Sequence, residues 1–141
     1  MAEPFDTQPL RGAAVVTAPD GSAVRPLCQL AGAGSFAHFQ LEPGEISRAV
    51  SHATVQEIWY VVAGVGRMWR RQAERERTTP LHPGLCLTIP AGTAFQFRAD
   101  GDEPLQVVAA TMPPWPVAGQ DEARPEDGPW RPALRSEQGG D

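Results

Sequence analysis

The chain has 141 residues, a net charge of −5, 41% hydrophobic and 21% charged residues. Those values suit one domain, exclude wholesale disorder and lend nucleic-acid binding no electrostatic support. Fifteen prolines and fourteen glycines exclude a helical bundle and favour short strands joined by turns.

The predicted strands are short apolar or alternating runs. In chain order they are AAVVT (13–17), PLCQLAG (26–32), SFAHFQL (35–41), EIWYVVAG (57–64) and GRMWRR (66–71), then GLCLTIP (84–90), TAFQFRA (93–99) and EPLQVVAATM (103–112). Turn chemistry separates them at Pro19-Asp20-Gly21, Pro43-Gly44, Pro83-Gly84, Ala91-Gly92 and Asp100-Gly101-Asp102. This spacing reads as an all-β sandwich or barrel. The charged run QAERER (72–77) reads as a surface hairpin. From Pro113 the texture changes to a proline-rich, acidic arm with no room for a strand ladder. Its Trp115 and Trp130 are costly to leave in water, so the arm is expected to pack back on the barrel or on a partner. The barrel is placed at 1–112 and the arm at 113–141, with its end loose.

Other classes fall away. No run of about eighteen apolar residues is present to span a membrane, and the start, MAEPFDTQPLRG, lacks the pattern of a signal peptide. Cys28 and Cys86 form no CxxC pair and read as buried thiols of a cytoplasmic protein. All twelve basic residues are arginine, so Schiff-base chemistry on lysine is absent.

Two segments carry most of the information: GEISRAVSHATVQEIWYVVAG (44–64) and GLCLTIPAGTAFQFRA (84–99). Together they resemble the two motifs of the cupin superfamily, in particular small single-domain bacterial cupins. Gly44, Glu57 and Gly64 fall in register with the first motif, and Gly84, Pro90 and Gly92 with the second. The resemblance covers residues about 35–110 and implies a double-stranded β-helix, or jelly-roll, barrel with the proline-rich arm appended. Independently of any family, glycines and a Pro-x-Gly step suit barrel corners, and the alternation in EIWYVV turns every second side chain inward.

In cupins of this type two histidines and a glutamate of motif one, and a histidine of motif two, converge on a divalent metal. Here the first histidine position holds Val50, the second His52 and the glutamate position Glu57. The motif-two histidine and asparagine positions hold Phe95 and Ala99. Two donors are too few for a transition metal. A divalent metal then depends on His38, whose row Phe36, His38, Gln40 shares one face by period two. If that face looks inward, His38, His52 and Glu57 form a two-His, one-carboxylate set. His82 precedes a Pro-Gly turn and reads as an exposed loop residue.

Without a metal, His52 and Glu57 are the candidate catalytic acid and base. The candidate ligand-binding residues are His38, Gln40, Val50, Thr54, Trp59, Phe95 and Phe97. The plain alternatives are a hydrogen-bonded His52 at the barrel rim, a Glu57 salt bridge to Arg67 or Arg98, and aromatics that are simply core. Three functions stay open: a metal-independent isomerase, cyclase or dehydratase acting on a small metabolite; a non-catalytic binding or sensing cupin; and a metal oxygenase with a rearranged site. The resemblance also implies a small-molecule ligand. Exposed strand edges suggest a homodimer, with the Trp115/Trp130 arm crossing its interface.

Overall fold

The computed structural model describes residues 3–116 and 122–135. The described residues contain eleven strands: β1 (Val16–Thr17), β2 (Ala23–Leu30), β3 (Gly34–Leu41), β4 (Val50–His52), β5 (Gln56–Ala63), β6 (Gly66–Gln72), β7 (Arg75–Leu81), β8 (Cys86–Ile89), β9 (Ala94–Ala99), β10 (Leu105–Met112) and β11 (Ala123–Pro125). They form two antiparallel sheets, ordered β1-β2-β3-β10-β5-β8 and β11-β4-β9-β6-β7. Consecutive strands repeatedly switch sheets, which is the jelly-roll topology expected from the motifs. No helix of the described residues is long and apolar enough to cross a membrane.

The alternation read from the sequence is what folds. In β5, Glu57, Trp59 and Val61 are buried while Ile58, Tyr60 and Val62 are exposed. Leu105, Val107 and Ala109 of β10 continue the same inner face, as do Phe95, Phe97 and Ala99 of β9. Trp59 is the hub of this core: its ring lies edge-on to Phe97 at 4.9 Å and stacks on Phe39 at 5.6 Å. The motif glycines fix the entries to β8 and β9 against the neighbouring strand of the same sheet. Gly84 N donates to Val61 O of β5 at 2.9 Å, and Gly92 N to His52 O of β4 at 2.8 Å. At Gly64 the backbone has φ 82°, and a Cβ there would collide with the Pro104 backbone, so only glycine fits the corner.

Three strands differ from the sequence reading. β4 is too short to show alternation, and β7 is a polar edge strand whose hairpin with β6 contains the expected turn. β11 lies in the arm and pairs with β4, Ala123 opposite His52 and Pro125 opposite Val50. The arm therefore does make a ladder, because only Pro125 lacks a donor and it sits at an edge.

The remaining described arm closes over the outer face of the second sheet. Leu134 enters the core, 2% exposed, and Ala133 bridges Ile46. Gln96, 1% exposed, donates from Nε2 to the carbonyls of Ser47 and Trp130, both at 2.8 Å, and accepts the Trp130 N–H at 3.2 Å. Trp130 packs on Ala49, Trp69 and Ala94, with the Arg67 and Arg98 guanidinia 5.5 and 5.3 Å from its ring. Trp115 and Trp130 thus both lie on their own barrel. The end expected to be loose, 136–141, lies outside the described residues. The cysteines are free but not buried: Cys28 is half-buried, and Cys86, on the outward row of edge strand β8, is exposed.

Candidate functional site

A small cavity lies between the sheets, lined by Ala18, Pro19, Asp20, Phe39, His52, Glu57, Trp59, Phe95 and Trp115. Its volume is about 10 Å³, room for roughly one water. Of these residues only Pro19 and Trp115 reach solvent, so they form the outer wall. Trp115 is pinned there by its backbone N–H, which donates to Ser35 Oγ at 2.8 Å, and by an edge contact of its ring with Phe39 at 6.3 Å.

Glu57 is brought inside by the register of β5. Its Oε1 accepts the Trp59 indole N–H at 2.7 Å, and its Oε2 lies 3.5 Å from His52 Nε2. Burial raises the Glu57 pKa to about 7; the Trp59 hydrogen bond pulls the other way, and the nearby Asp20 adds to the rise. His52, on β4, is also pushed below its ordinary value by burial, against the attraction of Asp20 and Glu122. Both shifts favour the neutral forms, so at neutral pH the pair is an imidazole beside a carboxyl group that is about half protonated, not an ion pair. With Oε1 occupied by the indole, the Glu57 proton belongs on Oε2, facing His52 Nε2. His52 Nδ1 is buried without a hydrogen bond, and 3.8 Å separates it from Glu122 Oε2. The tautomer with its proton on Nδ1 faces that carboxylate and leaves Nε2 free to accept.

Two acids complete the surroundings, and neither stands out among the residues of its own segment. Asp20 looks like ordinary turn chemistry and does hold a turn, accepting from Ser22 N at 2.9 Å and Ser22 Oγ at 2.6 Å. It is nevertheless only 4% exposed, and burial raises its pKa against the pull of Ser22, His52 and Arg48. Glu122 stands in the arm, seventy residues from His52. Burial would raise its pKa, but hydrogen bonds from Thr54 Oγ1, Thr54 N and Val55 N outweigh that and lower it.

The other sequence-derived candidates fall elsewhere. His38 and Gln40 do share a face with Phe36, but it is the outer one, because the stronger apolar row Ala37, Phe39, Leu41 takes the inside. His38 Nε2 bonds Gln106 Oε1 at 2.9 Å, and Gln40 donates to Glu42 at 2.7 Å. Thr54 is exposed and serves to anchor Glu122. Val50 and Phe97 are core, while Phe95 and Trp59 do border the cavity. Arg67 and Arg98 do not reach Glu57, since both bind Asp100 at 2.7 Å. His82 is exposed in its loop, as read.

The residues present do not fit a divalent metal. His38 is on the opposite face of its sheet, so the two-His, one-carboxylate set does not assemble. Val50 and Phe95 offer no lone pair, and the two ring nitrogens of His52 face different carboxylates. Among the described residues no group of three or more His, Cys, Asp or Glu side chains converges as a metal site.

Comparison with known proteins agrees with this architecture. A family model described as the cupin domain matches residues 37–111. No curated protein matches the chain significantly. Among solved structures, the capsular polysaccharide assembling protein CapF of Staphylococcus aureus aligns with a TM-score of 0.70 at 14% identity, over 82% of this chain and 34% of its own. An uncharacterized conserved protein with a double-stranded β-helix domain from Klebsiella pneumoniae aligns at 0.60 and 15% identity, over 91% of this chain and 100% of its own. A mutant of Bacillus subtilis oxalate decarboxylase aligns at 0.58 and 21% identity, over 66% and 26%. The chain spans about a third of CapF and about a quarter of the decarboxylase, and at these identities the likeness is one of fold.

Proposed function

The chain belongs to the cupin family, and from that premise we propose a small-molecule-binding cupin in which Glu57 and His52 exchange a proton with a small apolar or aromatic metabolite. The supporting observation is the buried Glu57 carboxyl, fixed at one oxygen by Trp59 and set beside His52 with its other. A carboxyl group that titrates near 7 is suited to give and take a proton at neutral pH. The reaction class is isomerisation, cyclisation or dehydration, each of which needs proton removal at one atom and delivery at another. Glu57 Oε2 delivers, His52 Nε2 accepts, and Phe39, Trp59 and Phe95 supply the apolar walls. A cavity of about 10 Å³ admits such a ligand only when the Trp115 ring moves out. That closed wall favours a second reading, a sensing cupin that binds without turnover.

The test is a panel of small aromatic and aliphatic carbonyl compounds in D2O, followed by NMR. Proton–deuterium exchange at a ligand carbon with the unaltered protein, lost in both His52→Ala and Glu57→Gln, supports catalysis. Binding without exchange favours the sensing role. Exchange that survives both substitutions with the barrel intact overturns the acid–base reading.

The same proposal includes a homodimer and a cytoplasmic setting. The outer face of the first sheet carries Phe36, Ile58, Tyr60 and Val62, between 43% and 49% exposed, a contiguous apolar patch that suits a second copy. Light scattering checks it: a monomer at micromolar concentration refutes the dimer, and Tyr60→Glu is expected to split one. Two unpaired cysteines accord with a reducing compartment.

A further inference from the structure

A second concavity, of about 460 Å³, lies where the β6–β7 hairpin overhangs edge strand β8. It shares no lining residue with the barrel cavity. Its walls carry Arg70, Arg71, Arg75 and Arg77, with one acid, Glu76. On a chain with net charge −5 this is a local reversal of sign.

The register explains why the charge is concentrated. Arg70 and Arg77 are direct cross-strand partners, on the inward row that Met68 and Thr79 begin. Like charges placed opposite one another destabilise a sheet pair. The usual remedy, a carboxylate between them, is missing. Arg70 spends its donors on neutral acceptors, Thr88 O at 2.9 Å and Thr79 Oγ1 at 3.2 Å. Arg75 and Arg77 have no carboxylate partner among the described residues. Glu76 belongs to the other row, opposite Arg71, and Arg71 is itself paired with Glu126 at 3.1 Å. Burial first, and then the neighbouring Arg77 charge, hold the Arg70 guanidinium below its ordinary range.

We propose that this crevice binds the phosphate group of a small organic phosphate. Arg70, which uses two of its five N–H donors on Thr88 and Thr79, and Arg77 present their remaining donors from neighbouring strands, so that two guanidinium groups can share one multiply charged oxyanion. A single carboxylate would neutralise only one of them. The volume exceeds that of a bare ion and leaves space beside Pro90 for the organic part.

The experiment is a thermal-shift and calorimetric titration of the full chain with pyrophosphate and with phenyl phosphate. Citrate serves as the carboxylate arm, and sodium chloride holds ionic strength constant. The unaltered protein, Arg77→Gln, Arg75→Gln and the distant Arg11→Gln are compared, with near-UV circular dichroism as the check on folding. Both phosphates are expected to raise the melting temperature above the salt control. Arg77→Gln should weaken binding roughly ten-fold or more, and should melt no lower than the unaltered protein when no anion is added. Arg11→Gln should respond unchanged. If Arg77→Gln fails to fold, Arg75→Gln carries the same comparison with a weaker expected loss. Indifference to both phosphates, equal losses in Arg11→Gln and Arg77→Gln, or an equal response to citrate would overturn the proposal.

Discussion

Replacing Glu57 by glutamine is expected to stabilise the protein while abolishing proton exchange, and the size of the gain follows from the site. Glu57 titrates at about 7 in the fold against 4.5 for the free side chain, so the folded state keeps a proton that the unfolded chain releases. The folded state therefore has its full advantage below pH 4.5, loses it progressively up to about pH 7, and is level above that. The loss amounts to about 3 kcal/mol at pH 8 and only ~1 kcal/mol at pH 5. Glutamine has nearly the same shape. Its oxygen can still accept the Trp59 N–H, its amide can donate to His52 Nε2, and it never ionises. Glu57→Gln should then melt about 10 °C above the unaltered protein at pH 8, at roughly 3 °C per kcal/mol for a chain of this size, and the gap should shrink several-fold at pH 5. Asp20 and His52 are shifted as well, Asp20 upward, which acts with the same sign, and His52 downward, which acts with the opposite one. Both remain in the variant, and since both lie against residue 57, the difference between the two proteins reads Glu57 together with its coupling to them. Calorimetric melts at five pH values suffice. A variant that is destabilised, or one whose offset does not change with pH, would refute the argument that Glu57 is held as a neutral acid at a cost to stability.

Three further outcomes are expected. Trp115→Ala should cost roughly 2–3 kcal/mol in urea and open the cavity, so that free indole raises its melting temperature; an indole-insensitive variant would mean that Trp115 is not the outer wall. Gln96→Leu leaves the Trp130 N–H and two carbonyls without their partner, for a loss of roughly 3 kcal/mol. It should also make the arm cleavable by protease before the barrel unfolds, and equal cleavage rates in the two proteins would contradict the tethering. Manganese, iron and zinc, added after dialysis against a chelator, should leave the melting temperature unchanged; stoichiometric, stabilising uptake would show that the donors assemble after all.

The parts of the fold that could be read in the chain are those where a local rule suffices. Period two located β5, β9 and β10, and corner glycines located their ends. β7 escaped because an edge strand needs no apolar row, and β11 because an acidic, proline-bearing stretch pairs only once the barrel exists to receive it. Period two states which residues share a face but not which face is inside. For β3 the apolar row Ala37, Phe39, Leu41 outweighs Phe36, His38, Gln40, and weighing the two rows would have turned His38 outward. His52 and Glu57 came from the motif. Asp20 lines the cavity and Glu122 faces His52 from distant segments, and nothing about an aspartate in a turn or a glutamate in an acidic arm distinguishes it from its neighbours.

The hydrogen bond from the Trp59 indole to Glu57 has an optical consequence. Excitation of indole moves electron density away from its pyrrole nitrogen, so a negative charge placed against Nε1 lowers the excited state more than the ground state. When Glu57 loses its proton, Trp59 fluorescence should shift to the red and its near-ultraviolet dichroism should change, with a midpoint near pH 7. Trp69, Trp115 and Trp130 have no carboxylate at their indole nitrogens among the described residues. The protein thus contains its own colour indicator for the protonation state of the one carboxyl group on which its proposed chemistry depends.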